Sequence, residues 1–94
     1  MEYRVITTPN FEREAKKLLK RNPRVAEQIE QILEFLKTDP YNRSGMCDIQ
    51  KLTDVKEGEG QWRIRIGNYR VRYDIISEEV VLHFVGHRRE AYRR

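Results

Sequence analysis

Gln61-Trp62-Arg63-Ile64-Arg65-Ile66-Gly67-Asn68-Tyr69-Arg70-Val71-Arg72-Tyr73 is the stretch on which the reading of this chain turns. Apolar and basic residues alternate along it with period two, the pattern of strands with one dry and one wet face. Gly67-Asn68 interrupts it at the centre, and such a dipeptide suits a two-residue hairpin loop that needs positive φ. With those residues as the loop, Ile66 faces Tyr69, Arg65 faces Arg70, Ile64 faces Val71, Arg63 faces Arg72 and Trp62 faces Tyr73. One face then carries Trp62, Ile64, Ile66, Tyr69, Val71 and Tyr73; the other gathers Arg63, Arg65, Arg70 and Arg72. Like charges directly opposed on a sheet destabilise it by a few tenths of a kcal/mol or more per pair. A chain that breaks this rule without interleaved acids points to a site for a polyanion, most simply the phosphates of a nucleic acid.

The charge of the whole chain agrees. Residues 1–60 hold 11 Lys and Arg against 11 Asp and Glu, whereas residues 61–94 hold eight Arg, no Lys and four acids. The entire net charge of +4 therefore sits in the last third, and arginine carries it. The guanidinium is a planar fork of donors that matches phosphate and stacks on bases. Ninety-four residues suffice for one domain, 1–94, with a modest core. The single Cys47 excludes an internal disulfide and suggests a reducing compartment. No apolar run approaches the length of a membrane span, and the N-terminus lacks a signal-peptide pattern; a cytoplasmic protein that does not engage membranes is expected.

Upstream of the ribbon, Glu2 to Thr7 reads as a short strand. Thr8-Pro9 and Asn22-Pro23 each place a capping residue before a proline, the signature of a helix start. Phe11, Ala15, Leu18 and Leu19 form the apolar stripe of the first helix; Val25, Ile29, Ile32, Leu33 and Leu36 form that of the second. So short a break makes an antiparallel helix hairpin that lays both stripes on a sheet. Asp39-Pro40 closes the second helix. Tyr41 to Gly60 is mostly loop, with a short strand at Ile49 to Leu52 and a mobile polar turn at Asp54 to Gly60. After a turn at Ser77-Glu78-Glu79, Val80 to Val85 forms a further strand. Continued parity puts Leu82 and Phe84 on the apolar face. It puts His83 opposite Asp74 and His87 near Arg70, both on the arginine face. The predicted fold is α+β: a small single domain with a twisted, mostly antiparallel sheet in the order β-α-α-β-β-β and a two-helix hairpin on one face.

The wet face then holds Arg63, Arg65, Arg70, Arg72, His83 and His87, with Arg88, Arg89 and Tyr92 toward its end. Such a set binds a phosphodiester and stabilises charge that develops during phosphoryl transfer. Histidine moves protons near neutral pH, and Tyr92 stacks on a base or orients the backbone. The sequence has no His-x-x-x-His, no Cys pair, no clustered carboxylates and no phosphate-cradling glycine loop, so neither a metal nor a cofactor is expected. Cleavage of RNA by its own 2′-OH fits this set. A purely RNA-binding surface fits as well.

The order strand, helix hairpin, meander resembles the RelE/ParE superfamily of bacterial and archaeal toxins. So do Lys51-Leu52, the Trp62 to Tyr73 ribbon and the tail Val85-Gly86-His87-Arg88-Arg89-Glu90-Ala91-Tyr92. The resemblance implies a RelE-like fold akin to microbial ribonucleases. It also implies a metal-independent, ribosome-dependent endonuclease that cuts mRNA, so that ribosome and mRNA are partners. A cognate RelB-like antitoxin would hold it inactive, with operator DNA met only through the toxin–antitoxin complex. Carried over by position, Arg63 and Arg65 take the places of two basic residues on the second ribbon strand. Arg70 takes that of the phosphate-stabilising arginine, Arg88 that of the tail arginine, and Tyr92 that of the tyrosine that stacks or orients. Arg65, Arg70, His87, Arg88 and Tyr92 are thus the expected catalytic set, and Arg63, Arg72, His83 and Arg89 the RNA-binding set. The family's general base at the Arg65 position is a lysine, and arginine stays protonated at any accessible pH. Either His87 or His83 then takes the proton, or catalysis rests on electrostatics. ParE-like members share the fold but inhibit DNA gyrase, which keeps a non-nuclease toxin as the alternative.

Overall fold

The computed structural model of the chain describes residues 2–91. Its elements run β1 (Arg4–Thr7), α1 (Pro9–Arg21), α2 (Pro23–Leu36), β2 (Ile49–Lys51), β3 (Trp62–Ile66), β4 (Tyr69–Ile76), β5 (Glu79–His87) and α3 (Arg88–Ala91). The two predicted helix starts are as written in the sequence. Thr8 Oγ1 accepts the Phe11 N–H at 3.2 Å, and Asn22 Oδ1 accepts the Val25 N–H at 3.3 Å. Each cap satisfies a donor that the first helical turn leaves orphaned. The second helix ends at Leu36, ahead of Asp39-Pro40.

Five strands form one sheet in the order β1-β5-β4-β3-β2. Three of the four joins are antiparallel, while β1 runs parallel to β5 with Arg4 opposite Glu79 and Thr7 opposite Leu82. The β3–β4 register is the predicted one at all five pairs. Gly67 supplies the positive φ, +57°, at the first loop position, as a type II′ turn requires.

The core lies between the helix hairpin and one face of the sheet. Phe11, Leu18, Ile29 and Leu36 from the helices meet Ile64, Val71, Tyr73, Val80, Leu82 and Val85 from the strands, all buried. Trp62 stacks on Tyr73 with ring centroids 6.3 Å apart, so both aromatic residues of that pair serve the core side. Leu19 departs from its predicted stripe: at 58% exposure it looks outward. Among the described residues no helix is long and apolar enough to cross a membrane.

One irregularity decides what each face carries. Tyr73 pairs with Leu82 but Arg72 pairs with Phe84, so His83 is an extra residue in β5, a β-bulge. The bulge frees the His83 carbonyl, which accepts hydrogen bonds from Asn10 Nδ2 at 3.0 Å and Thr8 Oγ1 at 3.5 Å at the start of α1. It also inverts the predicted parity from there on. Phe84 moves to the arginine face beside Arg72, and His87, paired with Tyr69, moves to the helix side.

Candidate functional site

The arginine face is built from the middle strands. Arg63 faces Arg72 and Arg65 faces Arg70. The four are not equally open. Arg65 is exposed and its Nε lies 3.4 Å from Asp48 Oδ2, a pair of exposed side chains that contributes little. Arg63 is half-buried and donates from Nη2 to Gln50 Oε1 at 2.6 Å on the neighbouring edge strand. Arg70 and Arg72, by contrast, are buried, at 5% and 8% exposure.

Backbone carbonyls account for this burial. Arg72 donates from Nε to Gly60 O at 2.9 Å and from Nη2 to Glu59 O at 3.2 Å. The loop that supplies those carbonyls is anchored by Asp74, which is fully buried. Asp74 Oδ2 accepts the N–H groups of Gly58 at 2.8 Å and Gly60 at 3.0 Å, and Oδ1 accepts that of Gln61 at 2.9 Å. The turn at 54–60, expected to be mobile, is therefore tied down over the sheet. A side chain at Gly60 would place its Cβ 2.9 Å from Arg72 Cβ, and the backbone there has φ +84°. Only glycine lets the loop lie this close to the arginine.

Arg70 is held at the other end. Its Nη1 donates to Gly67 O at 3.0 Å and Tyr69 O at 2.9 Å, the carbonyls of the hairpin turn. Its Nε is buried and has no hydrogen-bond partner among the described residues. A desolvated cationic donor without an acceptor is costly unless a ligand supplies one.

The tail is fixed to the same end of the sheet. Arg88 N–H donates to Asn68 O at 2.7 Å, which seats α3 against the hairpin turn. Arg88 and Arg89 are exposed there, next to the turn near which Arg65 and Arg70 pair. Tyr92 lies outside the described residues.

The two histidines do not join this cluster as predicted. His83 reaches Asp74, but from the bulge and not from a ladder position. Its Nε2 lies 2.8 Å from Asp74 Oδ2 without hydrogen-bond alignment. His87 packs edge-on against Tyr69, centroids 5.7 Å apart, on the helix side of the sheet. Its Nδ1 accepts the Arg89 N–H at 3.3 Å, so the neutral ring carries its proton on Nε2.

Sequence reasoning missed Asp74 as a loop anchor. The signal present was Gly58 and Gly60, whose N–H groups have no ladder partner and need an acceptor. It also missed that the β2 side supplies partners, Asp48 and Gln50, to the outer two arginines. Among the described residues, no three His, Cys, Asp or Glu side chains gather as a metal site would require.

Comparison with known proteins bears on this arrangement. The model of the ParE toxin of type II toxin–antitoxin systems, parDE, matches residues 5–92. No curated protein matches the chain. Among solved structures, a chain of the RelB–RelE antitoxin–toxin complex of Methanococcus jannaschii is 21% identical with a TM-score of 0.74, covering 93% of this chain and 94% of that one. A chain of the RelBE2 toxin–antitoxin complex of Mycobacterium tuberculosis is 26% identical with a TM-score of 0.71, covering 93% and 99%. The YoeB dimer of Staphylococcus aureus shares the fold at 13% identity and a TM-score of 0.70, covering 88% and 93%.

Proposed function

The chain belongs to the ParE toxin family of type II toxin–antitoxin systems, within the RelE/ParE superfamily, and from that premise we propose that it is a toxin that cuts mRNA on the ribosome. The observation that carries this reading is the pair Arg65–Arg70 at the turn end of the sheet, two like charges directly opposed in the ladder. A phosphodiester bound over that end offsets their repulsion. Arg65, Arg88 and Arg89 approach the same phosphate from the solvent side.

In this reading the RNA 2′-OH attacks the adjacent phosphorus, the 5′-oxygen leaves, and a 2′,3′-cyclic phosphate forms. The protein's part is to align the three atoms and to stabilise the charge that grows on the non-bridging oxygens. Arg70 is the rigid element, since two carbonyls fix its guanidinium before substrate arrives. Arg65 cannot take the 2′-OH proton and His87 lies on the other side of the sheet, so water takes that proton and water protonates the leaving 5′-oxygen. Charge stabilisation is then the main catalytic term, with Arg63 extending the basic track along the sheet and His83 at its far side. Complexes of two structural neighbours include antitoxins, and by that analogy an antitoxin binds this chain.

Arg72 and most of Arg70 are committed to the protein's own carbonyls, which favours a second reading: a charged surface that binds a protein target such as gyrase and cuts nothing. Induced expression with mRNA mapping separates the two. Truncated transcripts with early arrest of translation, abolished by Arg88→Ala at unchanged folding, are expected. Intact transcripts with a DNA-damage response would refute the nuclease.

A further inference from the structure

The helix side of the sheet holds a second basic site. A polar pocket of about 210 Å³ opens where the end of α1 meets the ends of β4 and β5. Glu14, Lys17 and Arg21 line it from the helix, and Tyr69, Gly86 and His87 line it from the strands. Lys17 and Arg21 lie four residues apart and so share one face of α1, with Glu14 a turn before them. Lys17 Nζ stands 3.8 Å from Glu14 Oε1, with its side chain more than half exposed, so the pair is weak and Lys17 is able to turn to a better anion. The wall also offers aromatic surface, Tyr69 and His87 packed edge-to-face.

We infer that this pocket is a subsite for a flanking nucleotide of a single RNA strand, its phosphate held by Lys17 and Arg21. The inference rests on the nucleic-acid reading of the arginine face. Two observations select this ligand over an acidic peptide. The paired rings suit a sugar or base edge. And the pocket adjoins the arginine cluster: Tyr69 precedes Arg70 and His87 precedes Arg88, so a strand bound at one rounds the hairpin turn into the other.

The test measures binding, not cutting. A fluorescent 2′-O-methyl RNA oligonucleotide, which has no free 2′-OH, is titrated against the intact chain and against Lys17→Ala/Arg21→Ala across a salt series. A poly-glutamate peptide is titrated in parallel. The double variant is expected to bind RNA several-fold more weakly, and its salt slope is expected to shrink by about 0.7 for each lost phosphate contact. Its urea midpoint should be unchanged and its affinity for poly-glutamate little altered. An RNA salt slope equal to that of the intact chain overturns the subsite. So does a loss confined to poly-glutamate, which would assign the pocket to an acidic protein segment. A chain that binds RNA in this way yet leaves mRNA intact on ribosomes keeps the subsite and sinks only the nuclease.

Discussion

Replacing Asp74 by Asn tests the anchor beneath the arginine face. The carboxylate accepts three backbone N–H groups at 2.8–3.0 Å and has no exposure. Asn preserves the shape but turns one acceptor oxygen into an NH₂ that points at N–H groups. A buried donor left unsatisfied costs roughly 1–3 kcal/mol. The remaining oxygen serves either the Gly58 and Gly60 N–H groups or that of Gln61, so one side of the anchor is lost: buried Gly60 with exposed Gly58, or half-buried Gln61. The expected loss is therefore about 1–3 kcal/mol. That is a sizeable share of the ~5–14 kcal/mol that a domain of this size commands. At roughly 4–8 °C per kcal/mol, the melting temperature should fall by roughly 5–20 °C. Urea unfolding followed by circular dichroism gives the free energy, and amide exchange at Gly58, Gly60 and Gln61 localises it. Glu57→Gln, an exposed change in the same loop, is the control. A loss below about 0.5 kcal/mol, the range of ordinary surface substitutions, would refute the reasoning that the loop is held through Asp74.

Further outcomes follow from the same geometry. Gly60→Ala combines a 2.9 Å contact with Arg72 Cβ and an unfavourable φ, and should cost about 1–3 kcal/mol in urea melts. Ile29→Ala, at a buried helix position, should cost about 2–5 kcal/mol, with the RNA affinity of the folded fraction unchanged. Burial above all, then the nearby Cys47 and Asp39, raises the Tyr73 hydroxyl above its ordinary value of 10.0. Unfolded Tyr73 thus releases its proton first, and stability from this group is full below about pH 10 and declines as the pH rises past it. Tyr73→Phe should flatten that alkaline decline, while at neutral pH it costs roughly 1 kcal/mol from the lost 2.6 Å bond to Pro40 O. Arg70→Ala should lower stability as well as mRNA cleavage, because the side chain braces the hairpin turn; Arg88→Ala should lower cleavage alone.

Much of the fold was legible because local chemistry dictates it. Thr8-Pro9 and Asn22-Pro23 fix helix starts through cap and proline, and Gly67 fixes a register through its φ. These signals act within a few residues. The misplacements of Phe84 and His87 have one origin, the bulge at His83. Its cause is a tertiary contact, Asn10 and Thr8 taking the freed carbonyl, and parity counting along one strand cannot register it. Likewise the alternation at Arg70 and Arg72 reads as a wet face because arginine is usually solvated. Here distant carbonyls replace water, and the loop that brings them is positioned by an aspartate that in sequence resembles any strand acid. The exposure of Arg65, Arg88 and Arg89 was legible; the supports that orient Arg70 and Arg72 were not.

The parallel join of β1 to β5 bears on how the chain reaches this state. Thr8, just past β1, contacts His83 across a separation of 75 residues, and among the described residues β1 pairs with β5 alone. Contacts so remote in sequence are slow to form, since chain closure must precede any gain. During synthesis the sheet thus stays unfinished until residues 79–87 have emerged, and with it the seat of α3 on the turn. A nascent toxin of this design acquires its basic end last, after most of its polypeptide has cleared the ribosome that made it.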